Sequence, residues 1–215
     1  MKKRNKKFCA AAILLLAFVV WTILVRLCDV AAIGPRGSSV GFSALNGWVH
    51  RLFSVHMTLY TITDWLGLVP IAVAFGFAVL GLVQWIVRGK ILRVDHSILV
   101  LGGFYLLVIG AYVLFEMITI NYRPVLINGY LETSYPSSTT MLVACVMPTA
   151  WMQMNARIKS PVWRRCLGAT IIGFTVFMVV GRLISGVHWF TDIVGGLLLS
   201  GGFVMLYAAI VDCVE

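Results

Sequence analysis

Charged residues are scarce in this sequence. Of its 215 residues only 12% are charged and only eight are acidic, whereas 60% are hydrophobic. A soluble domain of this length would be about half apolar and about a quarter charged. The composition therefore excludes an ordinary soluble protein and predicts a single integral membrane domain over residues 1–215.

The sequence also lacks the cysteine pattern that a disulfide framework or a metal site would need. Its five cysteines are scattered, odd in number and mostly within apolar segments, which is typical of small buried hydrophobic side chains. We therefore predict that the protein uses no metal and no cofactor. Nothing in the sequence indicates an obligate protein partner.

The net charge of +9 does not predict nucleic-acid binding, because of where the basic residues lie. Most of the 17 lysines and arginines stand in short blocks beside apolar runs, at residues 2–7, 88–93 and 157–165, as the positive-inside rule describes for cytoplasmic segments. The blocks predict a multi-pass protein of the plasma (cytoplasmic) membrane with both termini in the cytoplasm. Residues 117–138 and 181–192 then meet at the extracytoplasmic side.

Six apolar stretches predict membrane-spanning helices. They are residues 8–28, 66–87, 96–118, 139–154, 166–184 and 190–211. The first stretch could instead be a cleavable signal peptide, but its apolar run is longer than the 7–15 residues of a signal core, so we expect a retained span. The predicted fold class is an all-α membrane protein, a bundle of six transmembrane helices.

Between the first two spans, apolar residues recur at helical spacing and predict an amphipathic helix in the extracytoplasmic interface. These residues are Phe42, Leu45, Val49, Leu52, Phe53 and Leu59 or Tyr60.

Arg182, His188 and Asp192 interrupt the apolar C-terminal third of the chain. Ionisable groups inside a membrane-like stretch cost roughly 2.5–3.5 kcal/mol each on insertion scales. His188 and Asp192 are four residues apart and so share one helix face, where the carboxylate can hold one imidazole nitrogen and leave the other to react. The alternative is a hydrogen-bonded pair that only helps helix packing.

Two features of the 117–138 loop predict a phosphate site on the same side. Arg123 supplies a planar guanidinium that suits phosphate oxygens. Pro136, Ser137, Ser138 and Thr139 open a helix, whose free amides and small hydroxyls favour an anion. Together with Arg182 and His188, these residues describe a phosphate site with a histidine nucleophile that forms a phosphohistidine.

Three short motifs carry a resemblance to the type 2 phosphatidic acid phosphatase (PAP2) superfamily over about residues 60–212. Arg182-x5-His188-x3-Asp192 resembles its third signature, Ser-Arg-x5-His-x3-Asp. Arg123-Pro124 resembles the end of the first signature, Lys-x6-Arg-Pro, and Pro136-Ser137 the start of the second, Pro-Ser-Gly-His. The resemblance implies a PAP2 or acid phosphatase-like bundle.

The resemblance also implies roles for individual residues. His188 would be the nucleophile and Asp192 its orienting partner. Arg123, Arg182 and Ser137 would bind the substrate phosphate, with Ser138 beside them at the same helix start.

The first two motifs are altered at positions that matter for catalysis. Glu116 stands where the family has a phosphate-binding lysine, and Thr139 where it has a second histidine that protonates the leaving oxygen. Glu116 either pairs as a carboxylate with Arg123 or Arg182, or is a neutral acid that donates the proton in place of the missing histidine. Glu116 and Thr139 are therefore candidates for the proton donor or for a modulating role.

The predicted function is hydrolysis of a lipid phosphate or pyrophosphate at the extracytoplasmic face through a phosphohistidine. Phosphatidic acid, phosphatidylglycerol phosphate, undecaprenyl pyrophosphate and lipid A phosphate all suit such a site, and membrane lipids surround it. Two alternatives stay open. An alcohol instead of water could intercept the phosphohistidine, giving a phosphotransferase. A catalytically degenerate protein could only bind or transport phospholipids.

Overall fold

The computed structural model describes residues 2–214, and its regular structure there is helical. The α-helices are α1 (Lys2–Leu27), α2 (Ser43–Phe53), α3 (Met57–Leu66), α4 (Leu68–Arg88), α5 (His96–Met117), α6 (Ser138–Arg157), α7 (Pro161–Ile184) and α8 (Phe190–Val214). Single turns of 3₁₀ helix lie at Pro35–Gly37 and Ile91–Arg93. The all-α prediction is confirmed.

Five helical stretches are long and apolar enough to cross a membrane. They are Arg4–Leu27, Met57–Arg88, His96–Met117, Pro161–Ile184 and Phe190–Val214. The multi-pass prediction is therefore confirmed, and the second stretch contains α3 and α4 together. Helix α6, the predicted fourth span, is too polar to join this group and stays a prediction as a sixth span.

The position of α6 explains how a polar helix is accommodated in the bundle. It packs against α4, α5, α7 and α8, and its polar residues Thr140, Thr149 and Gln153 are buried. Thr149 donates to the carbonyl of Cys145 one turn earlier (2.9 Å), and Gln153 Nε2 donates to the Tyr207 hydroxyl (2.5 Å). Partners inside the bundle thus replace the water that these groups lose.

The predicted amphipathic helix is shorter than expected. It ends at Phe53, so Leu59 and Tyr60 belong to α3. The chain turns at Ser54–His56 because this segment docks on the loop after α7: the His56 amide donates to the Ser185 carbonyl (3.0 Å). A Cβ at Gly186 would lie only 2.0 Å from the Ser54 carbonyl oxygen, so the contact requires glycine. The spacing of apolar residues in the sequence could not predict this long-range contact.

Helix α8 lies at the centre of the fold, with α1, α5 and α6 packed along it. Its Gly195 allows the Tyr135 ring to approach closely, since a Cβ there would lie 2.6 Å from that ring. The Tyr135 hydroxyl lies 2.7 Å from Thr22 Oγ1 of α1. Tyr135 therefore anchors the segment before α6 to both α8 and α1.

The two ends of the bundle carry different groups. At one, which we call the terminal end, Lys7 pairs with Asp212 (2.7 Å), and Asp95 pairs with Arg88 (2.8 Å) and Arg157 (3.3 Å). The opposite, site end gathers α2 and the loops 118–137 and 185–189. The two loops were predicted to share a side, and they do. Which side of the membrane they face stays a prediction.

Candidate functional site

The loop between α5 and α6 is an irregular hairpin that covers the site end. Bridges pair Tyr122 with Thr133 and Ile127 with Tyr130, and the turn between them is Asn128–Gly129. Both turn residues have positive φ (50° and 82°), as a tight hairpin turn requires. The fold of this loop brings Arg123 and Ser134, eleven positions apart in sequence, to the lining of one cavity.

Three side chains from outside the hairpin hold it in place. Arg26 donates to the Thr119 carbonyl and Arg36 to the Gly129 carbonyl, both at 3.0 Å. The Trp189 indole donates to the Tyr122 carbonyl (2.7 Å). The last contact is the most informative, because Trp189 is the neighbour of His188.

Asp192 is held in the first turn of α8, where the positive end of the helix dipole favours a carboxylate. Its Oδ2 accepts from the backbone amide of Trp189 (2.9 Å), which otherwise lacks a helical partner. Its Oδ1 lies 3.5 Å from Asn121 Nδ2 of the hairpin. Asp192 is completely buried, and hydrogen-bond donors on two sides orient its carboxylate.

His188 contacts Asp192 through an intermediary that the sequence did not indicate. His188 Nδ1 and Asp192 Oδ2 are 3.7 Å apart, beyond hydrogen-bond distance. Ser134 Oγ fills the gap, 3.1 Å from His188 Nδ1 and hydrogen bonded to Asp192 Oδ2. On the other side of the ring, Arg123 Nη1 lies 3.3 Å from Nε2. The predicted His188–Asp192 neighbourhood is present, with Ser134 between the two.

Burial lowers the pKa of His188 to about 4. The Asp192 carboxylate opposes this shift, whereas the positive charges of Arg123 and Arg182 add to it. At neutral pH the imidazole is therefore uncharged and keeps a lone pair, which a nucleophile needs.

Arg182 is the largest of the fully buried side chains, with 2% of its surface exposed. Its Nη2 donates to Asp64 Oδ1 (2.9 Å) and to Thr139 Oγ1 (2.5 Å), and its guanidinium lies 4.9 Å from the centre of the Tyr60 ring. Its Nε and Nη1 have no partner among the described residues. Unpaired buried donors are costly, and a ligand with several acceptor oxygens would satisfy them.

Glu116 does not form the ion pair predicted for it. It accepts a hydrogen bond from Thr133 Oγ1 (3.1 Å), while Arg123 pairs with Glu132 (3.1 Å) and Arg182 with Asp64. The hairpin explains why Arg123 pairs with Glu132, because it sets the two residues opposite each other. The Arg123 amide donates to the Glu132 carbonyl (3.0 Å).

The predicted residues at the start of α6 are divided between different environments. Ser137 is fully buried and caps the helix, its hydroxyl 3.4 Å from the Thr140 amide. Ser138 faces the open space of the site. Thr139 accepts from Arg182. The structure thus brings Ser138 to the cavity beside His188 and leaves Ser137 behind it.

Two cavities meet at this point. A small polar cavity is lined by Glu116, Arg123, Ser134, Ser138 and His188, among others. An apolar cleft of about 520 Å³ lies between α4, α5 and α6, with Asp64 and Thr139 on its lining. The two share Tyr112, Ser138 and Met141, so the polar cavity, with a volume of only about 10 Å³, lies directly beside the apolar cleft.

Comparisons with known proteins identify a family and a similar fold. The sequence model of the PAP2 superfamily matches residues 104–213. The fold is similar to the crystal structure of a transmembrane PAP2 type phosphatidylglycerolphosphate phosphatase from Bacillus subtilis, with a TM-score of 0.60 and 19% sequence identity over 96% of this chain and 98% of that one. A search of curated proteins finds no match.

Proposed function

Since the chain belongs to the PAP2 superfamily, we propose that it is a membrane phosphatase that hydrolyses a lipid phosphate or pyrophosphate through a phosphohistidine at His188. One observation carries the proposal. Nε2 of His188 lies 3.3 Å from Arg123 Nη1 in a polar cavity, and two donors of the buried Arg182 have no partner among the described residues.

The reaction has two displacements at phosphorus. In the first, His188 Nε2 attacks, a P–N bond forms, the P–O bond to the rest of the lipid breaks, and the leaving oxygen takes a proton. In the second, water attacks, the P–N bond breaks with its electron pair returning to Nε2, and phosphate leaves. The proton lost by the water restores the group that protonated the leaving oxygen.

The two arginines stabilise the charge that develops on the phosphoryl oxygens. Arg182 is held from one side by Asp64 and Thr139, so its remaining N–H groups are preorganised. Arg123 leaves its contact with His188 and turns to the phosphate when substrate binds. Ser138, at the first turn of α6, contributes a hydroxyl beside the helix amides.

Glu116 is our candidate for the proton donor. Among the described residues it is the one carboxylic acid that lines the polar cavity with His188. Thr139, in contrast, accepts from Arg182, and we assign it the role of holding that arginine. A threonine hydroxyl is also a far weaker acid than a carboxyl group.

The substrate tail occupies the apolar cleft between α4, α5 and α6. The cleft has few polar groups. Most of them belong to residues that also line the polar cavity or lie next to it. An acyl or prenyl chain entering from the bilayer would thereby place its phosphate at His188.

We propose that the site end faces the extracytoplasmic side, because the basic blocks 88–93 and 157–165 lie toward the terminal end. A C-terminal alkaline phosphatase fusion would then be inactive, and an active fusion would reverse this orientation.

The test is phosphate release by purified protein from a panel of lipid phosphates and pyrophosphates in detergent. We expect release from at least one lipid, and a loss of about 10³-fold or more in His188→Ala. His96→Ala is the matched control, since His96 is exposed at the terminal end of α5, and it should retain full activity. Absence of release from every lipid, or equal release by His188→Ala, would contradict the proposal. Added alcohols test for phosphate transfer in the same assay.

A further inference from the structure

Ser134 is buried at the contact between the nucleophile and its carboxylate, with 3% of its surface exposed. We propose that Ser134 is a positioning residue: its hydroxyl fixes the His188 tautomer that carries hydrogen on Nδ1 and leaves the Nε2 lone pair for attack. This inference deepens the proposed function and rests on it for its catalytic meaning. It assigns a role to a residue outside the three motifs.

The direction of each hydrogen bond follows from the chemistry of the partners. A carboxylate only accepts, and Asp192 receives hydrogen bonds from the Trp189 amide and the Asn121 side chain besides that of Ser134. The single hydrogen of Ser134 must therefore point to Asp192. Its oxygen is then left to accept from His188, so Nδ1 carries a hydrogen.

The opposite side of the ring leads independently to the same tautomer. A guanidinium has donors and no acceptor, so Arg123 Nη1 can only donate to His188 Nε2 at 3.3 Å. A hydrogen on Nε2 would point at that donor and leave Nδ1 facing the oxygen of Ser134 without a proton to share. Both contacts are satisfied only with hydrogen on Nδ1.

The backbone fixes where Ser134 stands. Its amide donates to the Asn121 carbonyl across the hairpin (3.0 Å), and the adjacent Tyr135 is anchored in α8 and α1. The direct distance of 3.7 Å between His188 Nδ1 and Asp192 Oδ2 is too long for a hydrogen bond. Without the Ser134 hydroxyl, the carboxylate would lose its hydrogen-bonded link to the ring and keep only its charge interaction across 3.7 Å.

The link matters when the P–N bond forms. Attack by Nε2 leaves the ring positively charged, with its hydrogen still on Nδ1. Ser134 accepts that hydrogen bond and donates to Asp192, so the carboxylate stabilises the ring charge through the hydroxyl. No proton moves along this chain, and departure of phosphate restores the starting state.

The experiment is ¹⁵N NMR of the full-length protein in nanodiscs with ¹⁵N-labelled histidine. The chain has four histidines, and the His188 signals are those missing from His188→Ala. At neutral pH we expect wild-type His188 to be protonated on Nδ1 and unprotonated on Nε2. In Ser134→Ala only the Arg123 contact still favours this tautomer, so the Nδ1 signal should shift because its acceptor is lost, and a fraction of the other tautomer should appear. A wild-type ring protonated on Nε2 would overturn the inference even if the variant does not fold.

Turnover supplies the second readout. Ser134→Ala should lower kcat by about 10- to 100-fold, as for other lost orienting partners, with KM within about twofold. The conservative Ser134→Thr should recover most of the rate. Ser200→Ala is the matched control, because Ser200 is equally buried and its hydroxyl donates to the Met141 carbonyl within the bundle.

The two proposals fail in different ways. The tautomer is measured without any substrate, so an Nδ1–H ring in a protein that hydrolyses no lipid would contradict the phosphatase proposal alone. Normal phosphate release with an unchanged tautomer and kcat in Ser134→Ala would overturn the inference alone.

Discussion

Charged groups serve different purposes at the two ends of the bundle. At the terminal end, Lys7, Asp212, Asp95 and Arg88 keep about a quarter to two fifths of their side-chain surface exposed and are paired. At the site end, Arg182 is 2% exposed, and two of its nitrogens have no partner in the part of the chain that the structure describes. Exposed pairs contribute about 0–1 kcal/mol each, whereas unpaired buried donors are a cost to folding.

This difference separates charges that stabilise the fold from charges reserved for a ligand. The pairs of the terminal end connect helix ends and leave little for another molecule to satisfy. The site end retains unpaired donors that an anion would satisfy. The predictions below test that contrast, beginning with the largest expected effect.

Removing the guanidinium of Arg182 should be the most damaging change to an arginine. In Arg182→Gln we expect kcat/KM for phosphate release to fall by about 10³-fold, because a preorganised charged donor set is lost. Arg157→Gln at the terminal end is the matched control and should stay within about twofold, since its ion pair is exposed. Equal effects of the two changes would remove the proposed contrast between the ends.

The role of Glu116 is tested by Glu116→Gln, which keeps the shape and the acceptor for Thr133. We expect kcat to fall by about 10²-fold with little change in KM, as for a lost general acid. Glu132→Gln, the partner of Arg123, is the comparison and should change kcat less than about threefold, because the Glu132 side chain is 43% exposed and does not line the polar cavity. Unchanged turnover in Glu116→Gln would end its assignment as the proton donor.

The pH dependence reports on the charge around His188. Since its pKa lies at about 4, kcat/KM should lose no activity to protonation of His188 between pH 7 and about 5, and should fall as the pH approaches 4. Arg123 lowers this pKa, so in Arg123→Gln the acid limb should move to higher pH, by up to about one unit. If the acid limb of the kcat/KM profile stayed in place or moved to lower pH in Arg123→Gln, a group other than His188 would set the pH profile.

The smallest effect is expected at the terminal end. Hydrogen bonds from Arg88 and Gln84 lower the pKa of Asp95, so this carboxylate contributes stability above its unfolded pKa and loses it as the pH falls. Asp95→Asn should lower the unfolding free energy by about 0.5–1 kcal/mol and leave phosphate release unchanged. Thermal unfolding in detergent and the lipid assay check both. A large loss of activity would show that the two ends are coupled.

The parts of the site that the sequence predicted are those determined by local spacing. His188 and Asp192 meet because they are four residues apart, although His188 lies in the loop 185–189 before α8 and not on a shared helix face as predicted. Ser138 opens α6 after a proline-serine pair. The long apolar runs likewise predicted the spans within a few residues of the observed helices. Local patterns suffice where the residues concerned lie within a few positions of one another in the sequence.

The residues that were missed depend on contacts distant in sequence. Ser134 reaches His188 because the 118–137 hairpin sets it beside Arg123, and Asn128–Gly129 was the signal for that turn. Asp64 had no signal at all: it lies 118 positions from Arg182, between the predicted amphipathic helix and the second predicted span. The pairing expected for Glu116 was wrong because Glu132 and Asp64 occupy the arginines.

The central claim is that His188 attacks phosphorus. Rapid quenching of the protein with a ³²P-labelled lipid phosphate, followed by denaturing electrophoresis, tests it most directly. The account predicts a label on the protein that survives alkali, is lost in acid, and maps to the peptide containing His188. It also predicts no label in His188→Ala and normal labelling in His96→Ala. Turnover without a labelled intermediate, or a label that persists in His188→Ala, would contradict the account.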